Sequence, residues 1–164
     1  MKFSTTVEPQ TKEPSKELNA QECVRFPAGL VGFPEFNEAE ILYKPQELPF
    51  MWLKGTGKET LSFLVVEPTG LVPGYEIDVS DQDVEALNLK SADEALVLTV
   101  ATLHKKQGET QPNCITLNLI GPVLVNRRTL QARQVIISNS HKYSDRHVLF
   151  ETKESNSHTQ TKEG

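Results

Sequence analysis

Apolar residues recur along this chain in short runs, with glycine, proline or charged clusters between them. Runs of that length, rich in Val, Ile, Leu and Phe and bounded by turn formers, are the pattern of strands. They predict extended segments at 22–26, 41–43, 50–53, 61–66, 96–103, 114–120, 123–126 and 134–138. Tyr75 to Val79 alternates apolar and acidic residues, as a half-exposed strand does. Two places read as helical. Ser80 followed by Asp83 is a capping-box variant with acids in the first turn, and Val84 and Leu87 would face a core. Pro34 starts a single expected turn of helix reaching Ala39. The fold class expected is mainly β: a small antiparallel barrel or sandwich with one or two short helices.

The ends read differently. Residues 1–21 are polar, lack apolar periodicity and contain Pro9 and Pro14, which suggests a flexible tail. Residues 151–164 carry no apolar side chain, so burial cannot offset their ordering entropy, and disorder is expected. The folded domain is placed at 22–150, a size that buries a core without staples. Cys23 and Cys114 form no C-x-x-C pair, no stretch resembles a signal peptide, and no apolar run approaches the roughly 20 residues of a membrane span. These features suggest a cytoplasmic protein that neither enters nor binds a membrane.

The formal charge of −5 disfavours free nucleic acid as a direct partner. That charge is unevenly distributed. Between Glu67 and Glu94 eight acids face only Lys90, whereas between His104 and Arg146 seven bases face Glu109 and Asp145. The acidic segment could be a set of solvated edges, or a surface (Glu76, Asp78, Asp81, Asp83, Glu85) offered to a basic protein.

Candidate chemistry is sparse. Trp52 to Leu61 contains Gly57-Lys58, but the first phosphate-loop glycine would fall on Trp52 and the metal-binding hydroxyl on Glu59. Strand-like runs flank it on both sides, so the stretch reads as a hairpin. The four histidines lack zinc spacing, Cys114 has no identifiable base, and there is no G-x-S-x-G elbow. The expectation is a protein that is not an enzyme and needs neither cofactor nor metal.

Several stretches, in order, resemble the flagellar assembly factor FliW family. They are Phe26-Pro27-Ala28-Gly29-Leu30-Val31-Gly32-Phe33, Pro49-Phe50-Met51-Trp52-Leu53, Leu61 to Pro68, Tyr75 with the segment carrying Asp81, Asp83 and Leu87, Asn118 to Asn126, and Gln134-Val135-Ile136-Ile137. The chain departs from the family pattern at Val31, Pro34, Lys54-Gly55 and Gly121. The resemblance implies a monomeric, non-catalytic β protein that binds flagellin as a cytoplasmic chaperone. It also implies binding of the carbon storage regulator CsrA, a small basic dimer that represses flagellin translation, with flagellin and repressor competing.

Two surfaces are candidates for such contacts: the acidic residues above, and the hairpin tip with Lys54, Thr56, Lys58, Glu59 and Thr60. Trp52, Asn118, Pro122 and Asn126 are further candidates. A tryptophan in an apolar strand is more often core, Asn118 could cap backbone groups beside Gly121-Pro122, and Asn126 could start a turn. The rival reading is an RNA-binding β module using Arg127, Arg128, Arg133, Lys142 and Arg146, though only Tyr143 offers a nearby stacking ring.

Overall fold

In a computed structural model describing residues 1–4, 22–58 and 61–152, the chain forms strands β1 (Lys2–Ser4), β2 (Cys23–Arg25), β3 (Glu38–Tyr43), β4 (Phe50–Gly55), β5 (Ser62–Val66) and β6 (Glu76–Asp78). Helix α1 (Asp81–Ala86) follows, then β7 (Ala95–His104), β8 (Cys114–Leu117), β9 (Val123–Asn126), β10 (Ala132–Gln134) and β11 (His147–Glu151). Single 3-10 turns occur at Ala92–Glu94 and Ser140–Lys142. All pairings between strands are antiparallel, in the order β10-β9-β7-β5-β4-β3-β2, with β8 on β7 and β11 on β8.

Strand β7 organises this arrangement. Its first half pairs with β9 (Leu96 opposite Val125), its second half with β8 (Leu103 opposite Ile115), and Thr99 and Val100 pair with β5. Ten residues are long enough to serve three neighbours. The main sheet curls until Arg25 beside Leu130 and Gln131 links its two ends: Arg25 N donates to Leu130 O at 2.9 Å, with one parallel bridge to Gln131. One bridge is not a ladder, so the mainly β prediction holds as sandwich-like sheets and not as a closed barrel.

Each face of the curled sheet covers its own core. Val24, Ile41, Leu53, Val65, Leu98, Val125 and Ala132, from all seven strands of the sheet's order, fill one. Val66, Tyr75, Ile77, Leu87, Leu117, Leu124 and Ile137 fill the other. Strand β9 is consequently buried on both faces, and this is the physical meaning of its unbroken Val123-Leu124-Val125 run. Tyr75 lies fully buried in the second core and donates its hydroxyl to Leu119 O at 2.6 Å. Burial, and then the neighbouring Tyr143, push its phenol well above the ordinary range, so it stays a donor.

Several expectations change. Residues 1–4 were assigned to a loose tail, yet Lys2–Ser4 pairs with Glu76–Asp78 and Phe3 is buried. A three-residue strand carries no sequence periodicity; its partner and one apolar contact define it. Residues 5–21 and 153–164 lie outside the described residues, whereas Glu151, placed in the disordered C-terminal tail, closes β11. The helical turn expected from Pro34 to Ala39 is replaced by hydrogen-bonded turns (Phe33 N to Leu30 O, 2.8 Å; Phe36 N to Phe33 O, 3.1 Å), and Ala39 lies within β3. Tertiary packing overrides local preference there, because Phe33 and Phe36 stack edgewise on Phe63 at 5.1 and 5.2 Å. Gly29 makes this fold-back possible. Its φ is +66°, and a Cβ there would lie 2.6 Å from Pro34 O. The strand expected over 114–120 stops at Leu117, and the one expected at 134–138 shares only Gln134 with β10; the segment after it is no strand, though Val135 N donates to Pro122 O and Ile137 N to Ile120 O.

Replacing Tyr75 by Phe removes one donor and leaves a buried carbonyl unpaired. Urea unfolding should show a loss of about 1–2 kcal/mol without a change of fold.

Candidate partner-binding surface

The acidic residues gather where β6 runs into α1. Glu76 and Asp78 lie on β6, with Asp81, Asp83 and Glu85 on the helix. The helix starts there because Ser80 Oγ accepts from Asp83 N at 3.2 Å, as the capping pattern predicts. Leu87, at its end, is buried in the core. Glu76, Asp81 and Glu85 are exposed and Asp78 is half-buried.

Asp83 departs from the expected open surface. Arg133 Nε on β10 donates to its Oδ1 at 2.7 Å, and Ser80 Oγ donates to its Oδ2 at 2.8 Å. Glu94 is likewise engaged, with Arg128 Nε 3.7 Å away and Lys90 N donating to it at 2.9 Å. The acidic and basic segments thus meet inside the molecule. Asp83 anchors the helix against β10 and is removed from the outward surface; Asp78 lies 3.8 Å from the Met1 ammonium, so the exposed acids reduce to Glu76, Asp81 and Glu85. The same pairing engages Arg128 and Arg133 of the basic group on which an RNA-binding reading relies.

Asn126 and Pro122, expected as partner contacts, are buried. Asn126 is completely inaccessible. Its Nδ2 donates to Leu87 O (2.8 Å) and Asn88 O (3.3 Å), while its Oδ1 accepts from Arg128 N (2.9 Å) and Thr129 N (3.2 Å). A single amide therefore fastens the end of the helix to the turn after β9, and none of its hydrogen-bonding capacity faces outward. Asn118 Oδ1 accepts from Ile120 N and Gly121 N at 3.2 and 3.0 Å, the capping role considered for it from sequence. Trp52 belongs to neither core. It is half-buried between Leu42 and Leu64 and donates Nε1 to Glu47 at 3.3 Å. Core packing, the commoner fate of a strand tryptophan, is not what it does here.

The hairpin is confirmed, with Trp52 opposite Leu64 and Lys54 opposite Ser62. Lys54, Thr56 and Lys58 are exposed; Glu59 and Thr60 lie outside the described residues. Thr56 is fastened to β3, its N donating to Glu38 O at 3.0 Å. The tip belongs to β4 and β5, the ledge of acids to β6 and α1, so these candidates occupy separate elements.

Sequence reasoning passed over one feature. Val31 and Ile136 are among the most exposed large apolar residues, at 66% and 57%. Gln134 ties their segments together, accepting from Val31 N at 2.9 Å and donating to Gly121 O at 3.0 Å. The only sequence signal was Val31-Gly32, a turn pair with an apolar residue at its tip.

No three His, Cys, Asp or Glu side chains among the described residues are grouped as metal ligands. Burial, then the hydrogen bond to Glu38, raise the Cys23 thiol and so disfavour its nucleophilic thiolate. No helix among the described residues is long and apolar enough to cross a membrane.

Fold and surface together define an antiparallel β protein whose distinctive groups are outward-facing charges and apolar knobs on a tightly tied frame. The chain belongs to the FliW family of flagellar assembly factors: the family model described as FliW protein matches residues 9–149. Flagellar assembly factor FliW of Geotalea uraniireducens is 36% identical over 141 residues, covering 84% of this chain and 82% of that protein. The factor of Natranaerobius thermophilus is 32% identical over 134 residues, covering 82% and 85%. A solved crystal structure of the flagellar assembly factor FliW superposes with a TM-score of 0.70 at 29% identity, over 84% of this chain and 92% of that one.

Asn126→Ala removes the partner of Leu87 O, Arg128 N and Thr129 N, and leaves Asn88 O only the 3.5 Å contact from Arg128 Nη2. It should cost about 2–4 kcal/mol in chemical unfolding, well above the effect of Lys58→Ala at the exposed tip.

Proposed function

We propose that this chain binds flagellin in the cytoplasm as a chaperone and binds the carbon storage regulator CsrA, thereby relieving repression of flagellin translation. Membership of a flagellar assembly family supports the setting. The observation that carries the repressor half is the ledge of Glu76, Asp81 and Glu85, left open after Asp83 turns inward to Arg133, with Asp78 beside them 3.8 Å from the Met1 ammonium. Three exposed carboxylates on one strand-to-helix corner attract a basic dimer and repel RNA phosphate. A repressor held there disfavours its messenger, and release of the factor from flagellin would make the ledge available.

The tip around Lys54, Thr56 and Lys58 is the second proposed contact, with Trp52 and Lys54 alternating on the same face of β4. Function in this scheme is a competition between binding equilibria, with no covalent step.

Reversing Glu76, Asp81 and Glu85 to Lys should slow association with purified repressor about tenfold at low salt. It should also flatten or invert the salt dependence of the association rate. Stopped-flow measurements at several ionic strengths check this, and an unchanged rate excludes the ledge. Lys54→Glu with Lys58→Glu should lower affinity for flagellin or repressor in calorimetry; two unaltered affinities reduce the tip to a turn.

A further inference from the structure

Strand β6 has a strand on one side only. Among the described residues, β1 pairs with that side, and residues 138–143 serve the other without forming a strand. Asn139 Oδ1 accepts from Asp78 N and its Nδ2 donates to Glu76 O, both at 2.9 Å. Ser138 N donates to Asp78 O at 2.7 Å, and Tyr143 Oη accepts from Glu76 N at 2.9 Å. The Tyr143 ring also rests edge-on against buried Tyr75, with centroids 4.9 Å apart. These contacts hold the turn Ser140–Lys142 beside the acidic corner.

A cavity of about 90 Å³ lies between these elements, lined by Lys2, Glu76, Ile77, Asp78, Asn139 and Lys142. Its amide group is already engaged, since both ends of Asn139 are bonded to the β6 backbone. Its charged rim is not. Lys2, Lys142 and Glu76 are exposed, and none of the three has an ion pair among the described residues. Two ammonium groups therefore share a cavity with the first carboxylate of the ledge.

A uniformly basic surface laid on this corner is attracted by the acids and repelled by the two lysines. A basic surface that also carries a carboxylate is attracted by both, and the change of sign fixes its orientation. Nucleic acid fits worse, because its repeating phosphates would bring further negative charge against Glu76 and Asp81. We propose, resting on the repressor reading above, that the cavity receives one acidic side chain of the repressor between Lys2 and Lys142 while the repressor's bases meet the ledge. Exposed ion pairs contribute little affinity each. Their role here is to select the register in which the partner docks.

Lys142→Glu separates this clasp from a surface that reads positive charge alone, because the two predict opposite signs. The substitution makes the corner more acidic, so simple attraction would tighten repressor binding. With the clasp, calorimetry should instead show repressor binding weakened about fivefold. An amidated oligolysine peptide, which carries no carboxylate, should bind the variant at least as tightly as wild type. Lys142→Arg keeps the cation and should stay within twofold of wild type, and melting curves check that each variant folds. Changing the repressor's acids to lysine one at a time should yield one form that binds wild type weakly and recovers with Lys142→Glu. Repressor binding to Lys142→Glu that equals or exceeds wild type overturns the clasp and leaves the ledge standing, as does the lack of any recovering pair. Retardation of flagellin leader RNA by the wild-type chain alone, lost in Lys142→Glu, assigns the lysine to nucleic acid and also overturns it. A wild-type chain that binds no repressor sinks the repressor reading itself, and the clasp with it.

Discussion

Everything in this fold depends on β7 being shared. Ala95–His104 pairs with β9, β5 and β8 along different parts of its length, and its side chains point alternately into two cores. Leu96 and Leu98 enter the core inside the curled sheet, while Ala101 enters the one outside it. Fully burying such a leucine contributes about 1.5–3 kcal/mol, but the larger consequence is geometric. A strand bonded on both edges and packed on both faces leaves its neighbours no freedom of register, since a one-residue slip would exchange the two cores. The stiffness needed to present a recognition surface comes from this shared strand.

Charge is used in two ways on that frame. Asp83 with Arg133, and Glu94 with Arg128, join the acidic middle of the chain to its basic later part. These contacts hold the short helix, which has six residues and could not persist alone in water. Asn126 reinforces the same junction through backbone groups. The acids left over (Glu76, Asp81 and Glu85) stand on the outer corner of a segment that cannot drift, because its other charges are already paired. A binding surface held this way loses little conformational entropy when a partner arrives.

The apolar knobs follow the same logic. Val31 and Ile136 are exposed, yet Gln134 fixes the backbone beneath them. Among the described residues, β11 pairs only with β8.

Sequence alone fixed what short-range physics controls. Alternating and continuous apolar runs located most of the strands, Ser80 and Asp83 marked the helix start, and the broken glycine spacing around Lys58 identified a hairpin in place of a phosphate loop. The motifs at Phe26–Phe33, Pro49–Leu53 and Asn118–Asn126 carried the family. Tertiary structure decided the rest, for reasons no local window contains. Lys2–Ser4 became a strand because β6 had an edge for it, Phe33–Phe36 turned because Phe63 lay beneath, and Asn126 became internal because the helix end came to rest beside it. Which acids face outward was likewise settled by long-range pairing, since Asp83 and Arg133 are fifty residues apart in the chain and 2.7 Å apart in space. Composition can count charges, but only the folded chain determines which of them are already paired.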